Sequence, residues 1–491
     1  MADTSARDEF RVLIVGGSIA GLTLAHALAA LNTSLQNDPR AKSGIRYTVL
    51  EKRPSLTPQE GASVGILPHG GRILDQLGLF QRVEEEIEPL HTAHLRFPDE
   101  GYVATNESPR VVGDRFGLPF AFLERRTLLC ILTEALELDR QVLCNKEVVG
   151  IGFAQHEKEG QEAVMVRTKD GGLYEGDLLV GCDGVHSIVR REMWRIAAQE
   201  GENIHPGDKK GLTAEYACIY GISSAVNGFE AGEHVASLHD NRSFLTFPGS
   251  QNRTFWFLIW KLDRKYLYDD GDMPRFTASD TASVVKKYAK DIIWREVTFG
   301  DIWDRKTRYN TAVLEENVFD TWHHKRIVCI GDSVHKMAPN TGQGANCAIE
   351  DAASLANLLH KVLISNKNEN SNMEQLDVRL KQYTTERVGR VNKIYKVART
   401  VVRLHARDTL FYRIVGRYVL PYAGNFQARA VSRTIEEAPK LDFIPVSARV
   451  ADAWSEGGIG HASIISRVVL GLLFALGVTW TWRATASLSL S

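Results

Sequence analysis

The chain has 491 residues, 44% of them hydrophobic, and a formal net charge of −1 at pH 7. A chain of this length exceeds one compact core and is expected to form two or three domains. The near-zero charge excludes an electrostatic case for nucleic-acid binding. Its six cysteines include no Cys-x-x-Cys pair, which predicts reduced thiols, and no cluster of metal-ligand type predicts a metal site.

The first predicted elements are a strand, a glycine-rich turn and a helix. An apolar strand precedes Gly16, and the helix begins around Gly21. This order is the fingerprint of a dinucleotide-binding βαβ unit, in which the first glycine permits a tight turn and the last lets the helix pack close to the strand. Ser18 stands where a second glycine is usual. A second strand, 46–50, ends at Glu51, an acid of the kind that accepts hydrogen bonds from an adenosine ribose.

A second pairing of glycines with an acid lies in mid-chain. The apolar strand 178–180 runs into Gly181-Cys182-Asp183-Gly184. The carboxylate of Asp183 is predicted to hold the cofactor by hydrogen bonds, while the glycines let the cofactor's backbone pass close by. An Asp-Gly turn without a binding role is the alternative.

The residues that follow have a different pattern, which predicts an antiparallel sheet. Segments rich in aromatic and β-branched residues alternate with turn-forming residues between positions 209 and 316. We interpret 209–316 as a substrate domain. Its inner face is predicted to carry Phe244, Phe247, Trp256 and Phe257.

The third motif repeats the arrangement of a strand followed by an acid. Residues 327–330 form an apolar strand that ends in Gly331-Asp332, and Gly342-Gln343-Gly344 then opens a helix. The free backbone amides and the positive end of that helix suit the anionic edge of a reduced flavin. Asp332 is predicted to bind the ribityl hydroxyls and Gly344 to border the cofactor. In this order, the three motifs predict one flavin dinucleotide site.

These motifs define the predicted domain organisation, an α/β fold. A Rossmann-like FAD-binding domain takes residues 10–208 and 317–362 and is interrupted by the substrate domain. A helical C-terminal region is predicted over 374–460, followed by a membrane helix over 464–482. A helix of that length extends about 28 Å, close to the hydrocarbon thickness of a bilayer.

Further segments resemble a known family: GASVGILP at 61–68, ILDQLG at 73–78, LER at 123–125 and EY at 215–216. Over about residues 11–359 the chain resembles the flavin-dependent monooxygenases of the para-hydroxybenzoate hydroxylase class. Within that class it is most similar to the fungal epoxidases of indole-diterpene and meroterpenoid pathways. By position, the resemblance implies that FAD contacts Glu51, Gly65, Arg125, Asp332 and Ala345. It also implies an active-site role for Tyr216, whereas His69 stands where that subfamily has asparagine.

The resemblance implies an FAD monooxygenase that uses NADPH and dioxygen to epoxidise an alkene in the prenyl chain of a terpenoid intermediate before cyclisation. Epoxidation needs mainly a close-fitting apolar pocket. An aromatic hydroxylase of the salicylate type is an alternative, and it would need a base and polar groups to ionise a phenol. A flavin-fold prenyl reductase or binding protein, without oxygen transfer, is a further alternative.

The two ends of the chain suggest where the protein resides. Residues 1–10 are polar and lack the apolar core of a signal peptide. The apolar segment 464–482 favours a single-pass C-terminal anchor in the endoplasmic reticulum, with the catalytic body in the cytosol. A helix that lies in a groove of the protein is the alternative. The expected partners are a prenylated small molecule, the membrane and a membrane terpene cyclase, with no nucleic acid.

Overall fold

The computed structural model describes residues 9–456, except 42, 60, 62, 99–100, 137–140, 156–161, 203, 206, 209–210, 366–368, 420 and 422–425. The membrane helix predicted over 464–482 lies outside these residues. Among the helices of the described part, none is long and apolar enough to cross a membrane.

The strands, in chain order, are β1 (Phe10–Val15), β2 (Ile45–Leu50), β3 (Ser63–Ile66), β4 (Glu88–Pro89), β5 (Thr92–Arg96), β6 (Val103–Asn106), β7 (Ala121–Glu124), β8 (Val142–Leu143), β9 (Val148–Gln155), β10 (Glu162–Thr168), β11 (Leu173–Gly176), β12 (Leu178–Gly181), β13 (Thr213–Ser224), β14 (Glu233–His239), β15 (Arg242–Gly249), β16 (Arg253–Leu267), β17 (Ile292–Trp294), β18 (Val297–Thr298), β19 (Lys306–Val318), β20 (His323–His324), β21 (Ile327–Cys329) and β22 (His335–Lys336). The α-helices are α1 (Ile19–Gln36), α2 (Pro68–Gln76), α3 (Phe80–Glu84), α4 (Ser108–Phe116), α5 (Arg125–Glu134), α6 (Ile188–Gln199), α7 (Ala278–Tyr288), α8 (Phe299–Asp304), α9 (Gln343–Leu363), α10 (Glu369–His405), α11 (Leu410–Tyr418), α12 (Phe426–Glu436) and α13 (Ala448–Glu456).

A six-stranded sheet forms the centre of the dinucleotide-binding half, in the order β20-β21-β12-β1-β2-β8. All of its pairings are parallel except β20 with β21. Its central strand β12 is buried along its whole length, as expected for a parallel strand that is covered on both faces. The strands before the three predicted motifs, β1, β12 and β21, are neighbours. Their carboxyl ends therefore meet at one edge of the sheet.

An eight-stranded sheet has the order β22-β19-β13-β16-β15-β14-β5-β6. The range 209–316 supplies its centre, whereas β5 and β6 come from much earlier in the chain and β22 comes from after it. The pairing of β14 with β5 is parallel, and the other pairings are antiparallel. The predicted antiparallel substrate sheet is therefore present, built from more of the chain than expected.

The aromatic side chains of this sheet divide between its two faces. Phe247 and Phe257 pack in a cluster with Tyr216, whereas Phe244 and Trp256 pack in a second cluster beneath α7 and α8. Successive side chains on a strand point to opposite faces. The prediction of one inner face carrying all four aromatics was therefore wrong, because residues one or three positions apart cannot share a face.

The long helix α10 is joined to α9 by a buried ion cluster. Arg387 donates from Nε to Asp351 Oδ1 at 2.7 Å and from Nη1 to Glu350 Oε2 at 2.7 Å. Arg390 adds two bonds to the Glu350 carboxylate, at 2.7 and 2.6 Å. Burial would raise the pKa of Glu350, but the guanidinium groups outweigh it and hold the pKa at about 2. Both acids therefore remain ionised inside the protein.

The substitution Arg387→Met is expected to lower the free energy of unfolding by about 3–5 kcal/mol, because it leaves buried carboxylates without their main counter-charge. The matched control is Arg82→Met, which breaks the exposed ion pair with Glu134 and is expected to cost about 0–1 kcal/mol. Urea denaturation of both variants measures the difference. Equal losses would show that the cluster does not stabilise the fold in this way.

Candidate functional site

The predicted cofactor residues converge at one edge of the parallel sheet. Gly16 follows β1, Glu51 follows β2, Asp183 follows β12 and Asp332 follows β21. These four strands are adjacent in the sheet. Ligands of open α/β sheets bind outside the carboxyl ends of the strands, so this edge is the expected place for a dinucleotide.

The glycines of the first motif are required by close backbone approaches. Gly16 has φ +107°, and a Cβ there would lie 2.4 Å from the carbonyl oxygen of Cys182. A Cβ on Gly21 would lie 2.0 Å from the carbonyl oxygen of Gly16. Neither position has room for a side chain. The packing roles predicted for both glycines are confirmed, and Gly16 also brings the first motif against the second.

Glu51 lies at the base of a narrow cleft beside this turn. Its side chain is buried, and Oε2 accepts a hydrogen bond from the Gly17 amide at 2.7 Å while Oε1 accepts one from the Arg53 amide at 2.9 Å. The cleft is lined by Gly17, Ser18, Glu51, Arg53, Ser55, Leu56, Pro58, Arg125 and Leu129. A fixed carboxylate with a nearby guanidinium suits the hydroxyls of a ribose and a pyrophosphate.

Arg125 connects the start of α5 to the glycine-rich turn. Its Nη2 donates to the hydroxyl of Ser18 at 2.7 Å, and a Cβ on Gly61 would lie 3.0 Å from its Cδ. Ser18 occupies the place of the usual second glycine. The departure from the fingerprint therefore supplies a side-chain anchor for the arginine.

The third motif places an ionised carboxylate at the same edge. Asp332 forms an ion pair with Lys336. Burial would raise the pKa of the Asp332 carboxyl, but neighbouring positive groups, led by Lys336, hold the pKa below its usual range. The side chain can therefore accept hydrogen bonds from sugar-like hydroxyls.

The amino terminus of α9 presents free backbone amides to this edge. Gly342 adopts φ +64° before the helix, and a Cβ on Gly344 would meet no other atom within 4 Å. The first turn, which includes Ala345, carries no acidic residue. Asn346 donates from Nδ2 to the Gly65 carbonyl at 2.9 Å. The predicted contacts Gly65, Gly344 and Ala345 thus surround one open helix end, which favours an anionic group.

Two buried polar atoms beside this helix end indicate a missing partner. Asn340 Oδ1 and Thr341 Oγ1 have no hydrogen-bond partner among the described residues. A buried acceptor without a partner costs free energy. Their position next to Gly342 fits a bound group rich in hydrogen-bonding atoms, such as a flavin.

A cleft of about 380 Å³ extends from this edge towards the large sheet. It is lined by Gln59, Gly61, Tyr220, Gly221, Thr307, Arg308, Tyr309 and Asn310. Because Gly61 also contacts Arg125, the cleft continues from the predicted cofactor residues.

Comparison with known proteins agrees with this geometry. Residues 9–398 match the family model of the FAD binding domain. The chain is 50% identical over 483 residues to an FAD-dependent monooxygenase of Penicillium canescens, covering 97% of this chain and 98% of that protein. This chain belongs to the family of FAD-dependent monooxygenases. Its cofactor is FAD.

A further relative is also an FAD-dependent monooxygenase, and solved structures share the fold. An FAD-dependent monooxygenase of Aspergillus fumigatus is 50% identical over 94% of this chain and 93% of its own length. The structure of Klebsiella pneumoniae HpxO complexed with FAD and uric acid has a TM-score of 0.68 at 18% identity, covering 89% of this chain and all of that chain. A salicylate hydroxylase substrate complex has a TM-score of 0.61 at 18% identity, covering 89% and 100%. These likenesses show the α/β monooxygenase fold.

In this monooxygenase, Asp183 caps a helix. Its Oδ1 accepts from the Ser187 hydroxyl at 2.5 Å, and Oδ2 accepts from the amides of Ile188 and Val189 at 2.7 and 3.1 Å. Burial raises the pKa of this carboxyl. The bonds fix the start of α6 behind the second motif. The contact with FAD that was predicted for Asp183 stays a prediction.

Tyr216 lies on β13, buried within the substrate sheet. Its hydroxyl donates to Asp408 Oδ2 at 2.7 Å, and Lys261 Nζ lies 3.3 Å from the same oxygen. Burial, and then the hydrogen bond and charge of Asp408, raise the pKa of Tyr216 far above its usual range. The phenol therefore stays protonated. Asp408 was missed because no sequence pattern relates the end of α10 to β13.

An aromatic column leads from the cofactor edge into the same cluster. A Cβ on Gly65 would lie 3.0 Å from the ring of Phe122. Phe122 stacks on Phe247 with 3.7 Å between ring centroids, and Phe247 stacks on His234 at 4.3 Å. A buried aromatic stack thus lies next to Gly65, one of the predicted FAD contacts.

Two histidines border the glycine motif of α9. His69 Nε2 lies 3.1 Å from Gln343 Oε1, and His405 Nδ1 lies 3.2 Å from Asn340 Nδ2. Burial lowers the pKa of His69 to about 4 and of His405 to about 3, so both rings are neutral at physiological pH. The histidine in place of asparagine at position 69 therefore acts as a neutral hydrogen-bonding group.

The substitutions Arg125→Ala and Asp332→Ala each remove a charged contact that this site offers to FAD. Each is expected to weaken FAD binding by roughly tenfold or more, since a charge-assisted hydrogen bond contributes more than about 1.4 kcal/mol. Flavin absorbance per mole of purified protein and titration of the apoprotein with FAD measure the loss.

The control is Arg191→Ala, an exposed arginine of α6, which should leave FAD bound. If the Arg125 and Asp332 variants bind FAD as the wild type does, the assignment of these two residues is wrong, although the family membership would still stand.

Proposed function

We propose that this monooxygenase uses NADPH and dioxygen to epoxidise an alkene in the prenyl chain of a meroterpenoid or indole-diterpene intermediate of fungal secondary metabolism. A separate membrane terpene cyclase would then open the epoxide. The supporting observation is the buried apolar cluster beside the predicted FAD contact Gly65, in which Phe122, Phe247 and Phe257 pack with Tyr216.

When bound and reduced, FAD supplies the activation of dioxygen and one oxygen atom for transfer. The residues of the chain bind the cofactor and orient the substrate. Arg125 and Asp332 would hold the cofactor, and the buried aromatic column would exclude water and offer apolar surface to the alkene. Tyr216 keeps its proton, donates it in a hydrogen bond to Asp408 and belongs to the buried apolar cluster. None of these roles requires a base.

Aromatic hydroxylation is a second candidate because buried imidazoles lie beside the same cluster. Burial lowers the pKa of His234 to about 4, and His405 is likewise neutral. A neutral imidazole can accept the proton of a phenol. A salicylate hydroxylase also has this fold, which is consistent with such a substrate without identifying it.

The first test is a mass-spectrometric assay of the detergent-solubilised enzyme with NADPH and isotopically labelled dioxygen. The substrates are farnesylated and geranylgeranylated aromatic compounds, with simple phenols as the matched comparison. Epoxidation predicts one labelled oxygen on the prenyl chain, recovered as the epoxide or its diol. Labelled oxygen on the ring would assign aromatic hydroxylation instead, and prenyl reduction without oxygen uptake would assign a reductase.

We further propose that residues 464–482 anchor the enzyme in the endoplasmic reticulum membrane with its catalytic body in the cytosol. The segment is mostly apolar and ends in two tryptophans, residue types that favour the membrane interface. A membrane position would also place the enzyme beside its apolar substrate and a membrane cyclase.

Deletion of residues 464–491 is expected to move the protein from the membrane fraction to the supernatant, because it removes the only segment proposed to span the bilayer. FAD content should not change. Fractionation of cell lysates with the flavin spectrum of each fraction measures both. Unchanged fractionation of the deletion variant would overturn the anchor.

A further inference from the structure

Helix α11 exposes apolar side chains, whereas an ordinary surface helix exposes polar ones. Its exposed residues are all apolar or aromatic: Leu410 is 72% exposed, Phe411 40%, Ile414 48% and Tyr418 64%. These residues are four of the thirteen large hydrophobic side chains that are exposed in the described part of the chain. A single exposed apolar residue is ordinary, whereas a cluster on one short helix indicates an interaction surface.

Both cations of the same helix are only partly exposed, and each is paired with another part of the enzyme. Arg413 lies 3.3 Å from Asp240 and donates to the Arg407 carbonyl at 3.2 Å. Arg417 stacks over the ring of Tyr102 at 3.7 Å. Because both arginines are paired with other parts of the enzyme, the residues that α11 exposes most are apolar or aromatic.

We propose that the exposed face of α11, formed by Leu410, Phe411, Ile414 and Tyr418, docks on the surface of a lipid bilayer. Nine residues of helix extend about 13.5 Å, which suits a helix that lies flat in the headgroup region. Tyr418 at one end is of the residue type that favours this interface. The proposal rests on the proposed membrane attachment of the enzyme.

The last described helix, α13, is connected to α11 through α4 and β6. Trp454 of α13 packs edge-on against Phe116 of α4 at 4.8 Å. Helix α4 follows β6, and Tyr102 lies directly before β6. The guanidinium of Arg417 in α11 stacks on the ring of Tyr102. Residues 457–463 then separate α13 from the proposed anchor and can span at most about 25 Å. An anchor at 464–482 would therefore hold the end of α13 within about 25 Å of the bilayer.

The docking face also lies beside the substrate side of the enzyme. Asp408, which binds the Tyr216 hydroxyl, is two residues before α11. Phe97 packs next to Gly416 of α11, and it belongs to the same apolar cluster as Phe247. A prenylated substrate dissolved in the bilayer would thus meet the enzyme at the end of its apolar cluster.

The test uses the full chain reconstituted with phosphatidylcholine vesicles that contain doxyl-labelled lipids. An environment-sensitive fluorophore is attached at Ile414→Cys or at the matched control Val397→Cys, a position on α10 that is 57% exposed. Cys130 and Cys144 are first replaced by serine, and the other four cysteines are buried. The label at position 414 is expected to lose roughly half its emission to the lipid quencher, because interfacial helices lie within the headgroup and acyl boundary. The label at position 397 should keep its emission.

Three results would overturn the proposal. Equal emission at both positions, while flotation shows the protein on vesicles, would mean that the anchor alone makes contact. A blue-shifted but unquenched label at position 414 would mean that protein, either the C-terminal segment or a second copy, covers α11. If the protein does not float with the vesicles at all, it makes no membrane contact. Epoxide formation in detergent is scored separately, so a failure of the proposed reaction is distinguishable from a failure of docking.

A second pair of variants tests the consequence for turnover. Leu410→Gln combined with Ile414→Gln is expected to raise the KM for a substrate delivered in vesicles by roughly tenfold, since the contact with the bilayer loses two apolar side chains. The KM in detergent should not change. The control combines Val378→Gln with Val397→Gln, and equal behaviour of the two pairs would contradict the proposal.

Discussion

The buried pairing of Arg387 with Glu350 and Asp351 is the interaction on which the two halves of the enzyme depend. Asp351 also accepts the Gly331 amide at 2.9 Å and faces His335 Nε2 at 2.7 Å. One carboxylate thus fixes both α10 and the turn that carries Asp332. Each buried charge would cost several kcal/mol alone, so the cluster is stable only when every member is present. The geometry of the third motif is consequently tied to the packing of a helix that no cofactor motif predicts.

Helix α10 is 37 residues long. The ion cluster that fixes its middle therefore also fixes the position of its distant end. Its middle is fixed by the ion cluster against α9. Near its end, His405 contacts Asn340 of the glycine loop, and Asp408 just beyond it binds Tyr216 of the substrate sheet. The helix therefore relates the cofactor edge to the substrate side at three points. A rigid helix, rather than a loop, thus fixes the substrate sheet relative to the predicted cofactor edge.

The sequence predicts well how residues within one local unit are arranged, and it misses contacts between residues that are far apart along the chain. Gly16, Gly21 and Glu51 lie within one βαβ unit, so spacing alone indicates their arrangement. Asp408 lies 192 residues from Tyr216, and no periodicity connects them. The faces of Phe244 and Trp256 were misassigned because composition identifies a strand, whereas alternation along each strand decides which side chains share a face. Likewise, β5 and β6 join the large sheet through long-range pairing that local pattern does not contain.

The hydrogen bond from Tyr216 to Asp408 limits the chemistry available at the substrate side. A tyrosine whose pKa is raised and whose proton is already donated is a poor base and has no free proton to give. Phenol hydroxylation requires a proton acceptor, and the neutral imidazole of His234, which stacks on Phe247, is a candidate for that task. Transfer of oxygen to an alkene requires no ionisation of the substrate, only close approach in a dry cavity. The buried aromatic stack from Phe122 to Phe247 is apolar, and on this ground we propose an isoprenoid alkene rather than a phenol as the substrate.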